Sequence, residues 1–374
     1  MAAERRVLGR DLEERQKIFA SVMAPPTVLP TPDFTWDPVT SPPKAGLRPK
    51  RDGSYRLEPE RQDDQFIVHN YGHAGAGITM SWGCALEVVD LVLARGVAQN
   101  DSVAVLGGGA MGLTAAVLLA ERNLQVTVYA AKFPPETTSN VAGGQWAPAS
   151  VQHDNKAQFE RILRRSFAMH QAKGAAYGVS ERPNYSKARL TSFEDVPEDI
   201  VPAPTRLAHL PFAQLNSRGF EYRTLLVEPP IFLPKLVSDL DAAQVQRVAK
   251  SFASMNQVLA ELDQKIIVNC TGLGARDLCN DSKVKPVKGQ LAMLPAQPNL
   301  QYLYSGDGYL FPRQDAVVLG GTEETSFTSD QPNIARCKRL VAHLKSIFAP
   351  GVLESLTPAF ASEWLRPSWI MRGK

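Results

Sequence analysis

The chain of 374 residues lacks most features of membrane-inserted, metal-binding or nucleic-acid-binding proteins. It has no uninterrupted apolar run of about 18 residues, so we expect no membrane partner. Its four cysteines (Cys84, Cys270, Cys279 and Cys337) show no spacing suited to zinc, so we expect no metal site. The formal net charge is only +3 and no long basic run occurs, which argues against a nucleic-acid partner.

We also expect no secretory or peroxisomal targeting signal. The start, Met1-Ala2-Ala3-Glu4, has no apolar core after it, and the ending Arg372-Gly373-Lys374 is not the usual peroxisomal address. Scattered cysteines in apolar surroundings fit reduced thiols. These features together predict a cytoplasmic protein, while the oligomeric state stays open, with a homodimer as one alternative.

The positive signals begin after a proline-rich start. Residues 1–45 are predicted to form a helix from Asp11 to Met23 and then an irregular arm, because seven prolines lie between Pro25 and Pro43. Beyond the arm, the 44% hydrophobic content is ordinary for a globular protein, and the length allows two domains.

A glycine-rich turn lies about a hundred residues into the chain. It follows an apolar strand (Ser102–Leu106), precedes a helical pattern and leads to a second strand (Gln125–Tyr129). Gly107 allows a tight turn, Gly109 lets the backbone approach a pyrophosphate, and Gly112 permits close packing of the helix on the strand. This unit predicts a Rossmann-like nucleotide-binding domain.

One expected element of that unit is missing. An acidic residue commonly ends the second strand and accepts hydrogen bonds from the ribose hydroxyls, but here the strand is followed by Ala131. Lys132 or the backbone is then expected to hold the adenosine end, although a solvated loop lysine is an equal alternative.

Further motifs carry a resemblance to a known family. These are Thr137-Thr138-Ser139-Asn140, Gly143-Gly144-Gln145-Trp146, Asn269-Cys270-Thr271-Gly272, and Gly308-Tyr309-Leu310-Phe311-Pro312. In combination they resemble the D-amino-acid oxidase family. The resemblance implies FAD as the cofactor, with Thr137 and Thr138 at its phosphates and Gly144 and Gln145 beside the flavin ring.

The segment before the glycine-rich turn resembles the closing segment of the same family. It runs through Arg48-Pro49 and Tyr55-Arg56-Leu57-Glu58 to His69-Asn70-Tyr71-Gly72-His73. The resemblance implies that Gly75, Gly77, Ile78 and Thr79 lie against the flavin. Because this segment precedes the glycine-rich turn, we predict a circular permutation; a duplicated or fused fragment is the alternative.

The predicted fold class is therefore α/β, with a Rossmann-like FAD-binding domain and a mixed-sheet substrate domain, circularly permuted. We assign residues 46–150, together with 262–280, to the FAD-binding domain. Residues 151–261 and 281–374 are assigned mainly to the substrate domain.

By the same resemblance, Arg48 pairs with the substrate carboxylate and Tyr309 adds a phenol hydrogen bond. Arginine suits this task because its planar fork can bind both carboxylate oxygens. Arg366, in a similar tetrapeptide, is a rival for Arg48. A second family tyrosine falls at Ser305, and Tyr304 could replace it after a shift of register.

Other polar groups are given less weight. His69 and His73 are interpreted as structural, since the reaction of the resembled family needs no protein base. The pair Glu323-Glu324 would favour a cationic substrate if it lined the pocket, although paired glutamates at a strand end are usually solvated.

The resulting hypothesis is FAD-dependent oxidative deamination of an amino acid, with a D-amino acid favoured. Hydride transfer to flavin would give an imino acid, and oxygen would be reduced to hydrogen peroxide. The partners are then a small amino acid or amine and oxygen. The alternatives are a tailoring amine oxidase or dehydrogenase that acts on a modified or carrier-bound amino acid, and a non-catalytic FAD-binding protein.

Overall fold

The computed structural model describes residues 28–215, 217–325 and 327–349. The predicted helix at Asp11–Met23 and the rival Arg366 lie outside these residues. The strands are β1 (Lys44–Arg51), β2 (Arg56–Gln62), β3 (Gln65–Tyr71), β4 (Ser102–Leu106), β5 (Gln125–Ala130), β6 (Val179–Ser186), β7 (Thr205–Leu207), β8 (Gly219–Val227), β9 (Gln246–Ala249), β10 (Ile266–Asn269), β11 (Val284–Leu294), β12 (Leu303–Gly306), β13 (Gly308–Pro312) and β14 (Val317–Gly320). The α-helices are α1 (Gly77–Ala94), α2 (Ala110–Ala120), α3 (Lys156–Lys173), α4 (Pro229–Ala242), α5 (Met255–Glu261), α6 (Ala275–Leu278) and α7 (Ile334–Phe348).

The first sheet has six strands in the order β2-β3-β10-β4-β5-β9. All of its neighbours pair in parallel except β2, which is an antiparallel edge strand. Strands β3, β4 and β10 each contain a continuous apolar run (66–68, 103–106 and 266–268) because helices cover the faces of a parallel sheet. The turn after β4 therefore opens at the carboxyl edge of this sheet, where such folds bind nucleotides.

The second sheet has eight strands in the order β1-β11-β14-β13-β12-β6-β8-β7. Its pairs are antiparallel except β12–β6, so it is a mixed sheet. Helix α7 packs on it through a separate apolar core that includes Leu340 and Leu344. The predicted α/β class, with a Rossmann-like sheet and a second mixed sheet, is confirmed.

The strand before the glycine-rich turn lies at its predicted position. The strand predicted at Ser102–Leu106 has those bounds as β4, and the turn after β3 leads into α1, Gly77–Ala94. Within the described ranges, α1 is also the one helix that meets length and hydropathy criteria for crossing a membrane. It packs between α2 and α3, and 61% of it is buried, as in the core helix of a globular domain.

The described part of the arm, residues 28–43, contains no helix and only an isolated bridge between Leu29 and Phe212. The arm is nevertheless anchored. Phe34 is 8% exposed and its ring lies 5.8 Å from that of Phe348 in the α7 core. The hydroxyl of Tyr302 donates to the Pro30 carbonyl at 2.7 Å. The arm thus forms part of the packing of the second sheet.

The two sheets divide the chain differently from the predicted domain boundaries. Strand β1 follows residue 43 but belongs to the eight-stranded sheet, and β9 lies within 151–261 but belongs to the six-stranded sheet. The chain therefore crosses between the sheets more often than the proposed boundaries imply. Those boundaries stay a prediction.

Candidate active site

A cavity of about 610 Å³ runs from the carboxyl edge of the six-stranded sheet to the face of the eight-stranded sheet. Every residue predicted for the site lines it except Gly112. The lining members are Arg48, Gly75, Gly77, Ile78, Thr79, Gly107, Gly109, Lys132, Thr137, Thr138, Gly144, Gln145 and Tyr309. Segments that are far apart in the sequence therefore contribute to one site.

The glycine-rich turn has no room for side chains on its packed side. Gly107 has a φ of +122°, and a Cβ there would lie 2.3 Å from the Cys270 carbonyl oxygen. A Cβ on Gly112 would lie 2.0 Å from the Gly107 oxygen, so Gly112 serves helix packing and does not face the cavity. At Gly109 the nearest atom to such a Cβ is Ser139 Oγ, at 3.1 Å. The start of α2 therefore faces the cavity, as anion binding requires.

The loop between β5 and α3 closes over this helix start. Ser139 Oγ accepts a hydrogen bond from the Ala110 N–H at 3.0 Å, while Thr137 Oγ1 donates to Asn140 Oδ1 at 2.7 Å. Gly144 has a φ of +115°, and its carbonyl accepts from Val227 N–H at 2.7 Å. This loop is thus fixed at both ends, and it presents hydroxyls and backbone to the cavity.

The turn before α1 forms the opposite wall. A Cβ on Gly77 would meet nothing within 4 Å, so the backbone there borders open space. The Thr79 hydroxyl donates to the Ala147 carbonyl at 2.9 Å and also accepts from the Ala147 N–H at 3.2 Å. The hydroxyl of Thr79 therefore joins the two walls, and its contact with the flavin stays a prediction.

Two observations indicate that a dinucleotide-sized polar group suits this space. Asn70 is fully buried and lines the cavity, yet its Oδ1 has no hydrogen-bond partner within residues 28–215, 217–325 and 327–349. A buried amide oxygen of this kind favours a donor from a bound molecule. With the open glycine backbone at Gly77 and the helix start at Gly109, the residues present fit FAD.

The adenosine end contains residues that sequence reasoning missed. Ala131 and Lys132 are exposed there, and the carbonyl of Ala130 accepts from the Lys250 N–H at 2.9 Å. Glu136, Lys250, Ser251 and Phe252 line the same end. The last three follow β9, whose polar and largely exposed sequence gives little strand signal. Glu136 and Ser251 are alternatives to the missing acidic residue after β5.

Arg48 and Tyr309 meet at the other end of the cavity. The Arg48 guanidinium lies over Gly289, where a Cβ would be 2.4 Å from Nη2, and Nη1 donates to the Thr322 carbonyl at 3.1 Å. The Tyr309 ring lies over Gly320, where a Cβ would be 2.3 Å from the phenol oxygen. Both glycines are therefore needed to admit these side chains.

The charges at this end suit a carboxylate. Burial raises the pKa of the Tyr309 phenol, and the neighbouring Arg48 guanidinium partly opposes that rise. The phenol thus stays a neutral hydrogen-bond donor beside a fixed positive charge. A cationic fork and a phenol donor together can bind both oxygens of a carboxylate.

Neither histidine of the His-Asn-Tyr-Gly-His motif is placed as a general base. His69 Nε2 lies 3.0 Å from Glu60 Oε2, and burial lowers its pKa. His73 stacks on Tyr55 with ring centroids 5.1 Å apart, and burial lowers the pKa of His73 to about 3. Both side chains support the turn between β3 and α1, as the structural interpretation expects.

The remaining candidates from the sequence, Tyr304 and the pair Glu323-Glu324, differ in whether they reach the cavity. Tyr304 faces the opposite side of the sheet from the cavity, where its ring lies 5.1 Å from that of Phe348. Glu324 is buried and accepts from Gln290 Nε2 at 2.7 Å. Glu323 does line the cavity, and it accepts a hydrogen bond from the Ser150 hydroxyl.

Comparison with known proteins shows the family. Residues 102–372 match the DAO family of FAD dependent oxidoreductases. The chain is 30% identical over 281 residues to a D-amino-acid oxidase of Streptomyces coelicolor, covering 70% of this chain and 84% of that one. It is 28% identical over 253 residues to a D-aspartate oxidase of Homo sapiens, covering 64% and 74%. The chain therefore belongs to the DAO family of FAD-dependent oxidoreductases.

Among solved structures, the chain is similar to an L-amino acid deaminase from Proteus vulgaris. The identity is 15%, the TM-score is 0.48, and the match covers 70% of this chain and 77% of that one.

Proposed function

We propose that this protein is an FAD-dependent oxidase of free amino acids, with D-amino acids as substrates. One observation carries the proposal: Arg48 and Tyr309 meet in the same cavity that the glycine-rich turn and the start of α2 enter. A carboxylate site and a nucleotide site are thus parts of one space. The D configuration is proposed from the names of the relatives in Streptomyces coelicolor and Homo sapiens.

The protein's own contribution is to bind and orient. Arg48 pairs with the substrate carboxylate, and the Tyr309 phenol donates a hydrogen bond to the same group. The rings of Tyr309 and Phe311 stack 4.2 Å apart, and a Cβ on Gly143 would lie 2.9 Å from the Phe311 ring. The loop that carries Gln145 therefore lies directly on this aromatic wall.

When bound, FAD supplies the acceptor for the hydride of the α-carbon and the route by which two electrons reach oxygen. The amino acid loses that hydride and an N–H proton to become an imino acid, which water hydrolyses to a keto acid and ammonia. Oxygen takes up two electrons and two protons to give hydrogen peroxide. The described site offers no histidine suited to proton removal. His73 lines the cavity, but its Nε2 lies 3.5 Å from Cys84 Sγ, and burial lowers its pKa to about 3, so it is a weak base.

The test is an absorbance spectrum of the purified protein, followed by a panel of free D- and L-amino acids. We expect a flavin spectrum that bleaches anaerobically with D-amino acids, and peroxide formation in air. Bleaching without peroxide would indicate a dehydrogenase. Silence across the panel would favour a modified or carrier-bound substrate, and a flavin that no amine bleaches would favour a non-catalytic protein.

We also infer that the chain order is a circular permutation of the family's usual order. Two observations support this: the family match begins at Ser102, at the start of β4, and β3 from the front segment lies parallel to β10 within the same sheet. The short connection Arg95–Asp101 joins α1 to β4. A chain rearranged to begin at Ser102, with the front segment after residue 349, should bind FAD; loss of FAD binding in a folded rearranged chain would contradict the inference.

A further inference from the structure

Three polar side chains form a group beside Tyr309, which we term the amide cluster: Gln145, Asn184 and Ser305. Ser305 on β12 is directly opposite Tyr309 on β13, so both side chains leave the sheet on the same face. Ser305 Oγ lies 3.3 Å from Gln145 Oε1 and 3.1 Å from Asn184 Oδ1. Gln145 and Ser305 line the cavity, so the cluster belongs to its wall.

The cluster has more hydrogen-bonding groups than it can satisfy internally. Asn184 is fully buried, and neither its Nδ2 nor the buried Nε2 of Gln145 has a hydrogen-bond partner among the residues that the structure describes. The Ser305 hydroxyl carries one hydrogen, so it can donate to only one of the two amide oxygens. If either amide is flipped, its NH₂ group can donate to the Ser305 oxygen, but its carbonyl oxygen then takes the unpaired position. Each unpaired buried group destabilises the empty site, and hydrogen bonds from a ligand would remove that destabilisation.

The cluster is placed where a substrate side chain would end. The Tyr309 phenol lies over Gly320 on β14, on the side of Arg48, whereas Ser305 is on β12, two strands away. Two strand spacings amount to about 10 Å. After a hydrogen bond at each end, this separation leaves room for a side chain of only a few bonds. A short chain of methylene groups with a polar end spans that gap.

We propose that the amide cluster recognises the substrate side chain and selects amino acids with an uncharged terminal carboxamide, of the glutamine or asparagine type. A carboxamide has both a donor and an acceptor, so it complements the cluster in whichever orientation the two amides adopt. The cluster itself contains no charged side chain that could balance a desolvated carboxylate or ammonium. This inference rests on the proposed oxidase function and adds the substrate class.

Glu323, in the same cavity, would favour a different class of substrate side chain from the amide cluster. Its carboxylate accepts a hydrogen bond from Ser150 at the β14 end, away from the amide cluster. A site dominated by Glu323 would prefer a cationic side chain. The two arrangements therefore predict opposite orders for D-glutamine and D-lysine.

The experiment compares kcat/KM for D-glutamine, D-methionine and D-lysine, with anaerobic flavin bleaching as a second readout. D-Methionine matches the length of D-glutamine without its hydrogen bonds. We expect D-glutamine to exceed D-methionine by about tenfold or more, as one or two net hydrogen bonds provide. We expect Ser305→Ala and Gln145→Met to bring this ratio close to one.

Tyr304→Phe is the matched control, because it removes a hydroxyl from the neighbouring residue on the opposite face of β12. It should leave the ratio unchanged. A wild-type ratio of one or less, or an equal effect of Tyr304→Phe and Ser305→Ala, would overturn the proposal, and so would D-lysine as the fastest substrate. Failure of every amino acid to bleach the flavin would instead remove the proposed function, and the inference with it.

Discussion

Replacement of Arg48 is the sharpest test of the carboxylate site. Arg48 supplies two N–H groups in a fixed fork, and its Nη1 already donates to the Thr322 carbonyl at 3.1 Å, which holds the guanidinium over Gly289. Hydrogen bonds to charged groups contribute about 1.5–3 kcal/mol each. Loss of two such bonds in Arg48→Ala should therefore cost about 3–6 kcal/mol, or roughly 10²–10⁴-fold in kcat/KM.

Arg48→Lys gives a graded version of the same perturbation. Lysine keeps the positive charge but not the planar fork, so about one of the two bonds is lost. We expect a decrease in kcat/KM of roughly 10–10²-fold, mostly in KM, with flavin content unchanged. Initial rates of peroxide formation and the flavin absorbance of each purified variant measure both quantities.

Arg61→Ala serves as the control, since Arg61 is exposed on β2 and lies outside the cavity. It should keep wild-type rates. If Arg48→Ala retained more than a tenth of the wild-type kcat/KM while Arg61→Ala behaved normally, Arg48 would not be the carboxylate ligand. Arg366 would then become the residue to test.

Two further predictions concern the framework around the site. Gly112→Ala would place a Cβ 2.0 Å from the Gly107 oxygen, so we expect about 1–3 kcal/mol of destabilisation and reduced FAD content. Gly306→Ala is the control, because Gly306 lies outside the cavity lining and the atom nearest to its Cβ would be Tyr304 Oη, at 3.5 Å. It should change neither the thermal stability nor the flavin absorbance. Burial lowers the pKa of His73 to about 3, below its ordinary value of 6.5, so the unfolded chain binds a proton that the folded chain excludes. Stability should therefore fall as pH decreases from 6.5 towards 3, by about 1.4 kcal/mol per pH unit from this group, and His73→Asn should flatten that slope in urea unfolding.

Local patterns made the nucleotide half of the site predictable from the sequence. The elements from β4 to β5 are consecutive in the chain, and each glycine in the turn between them has a steric reason that does not depend on distant residues. The same holds for the turn that follows β3, where a buried strand leads directly into α1. The conformation of such segments is determined by their local sequence, so pattern and spacing indicate both the fold and the ligand class.

The substrate half depends on pairings that no local pattern specifies. Arg48 meets Tyr309 only because β1 pairs with β11, β11 with β14 and β14 with β13 within one sheet. The prediction that both residues belong to one site therefore came from the family resemblance and not from their spacing in the sequence. Asn184 was missed because β6 contains Pro183 and alternates weakly, which hides a buried amide. Phe252 was missed because β9 is short and largely exposed.

The position of β3 has a consequence for how the chain folds during synthesis. β3 pairs in parallel with β10, and His69 lies 3.2 Å from Asn269 although 200 residues separate them. The ribosome therefore releases β2 and β3 long before the strand that completes their sheet, and a two-stranded unit with an apolar face is at best marginally stable alone. Until β10 emerges, that face stays available to chaperones, proteases and other nascent chains. Gly75 and Gly77, which follow β3 and border the cavity, are thus synthesised early. They acquire their conformation late, after most of the chain has been translated.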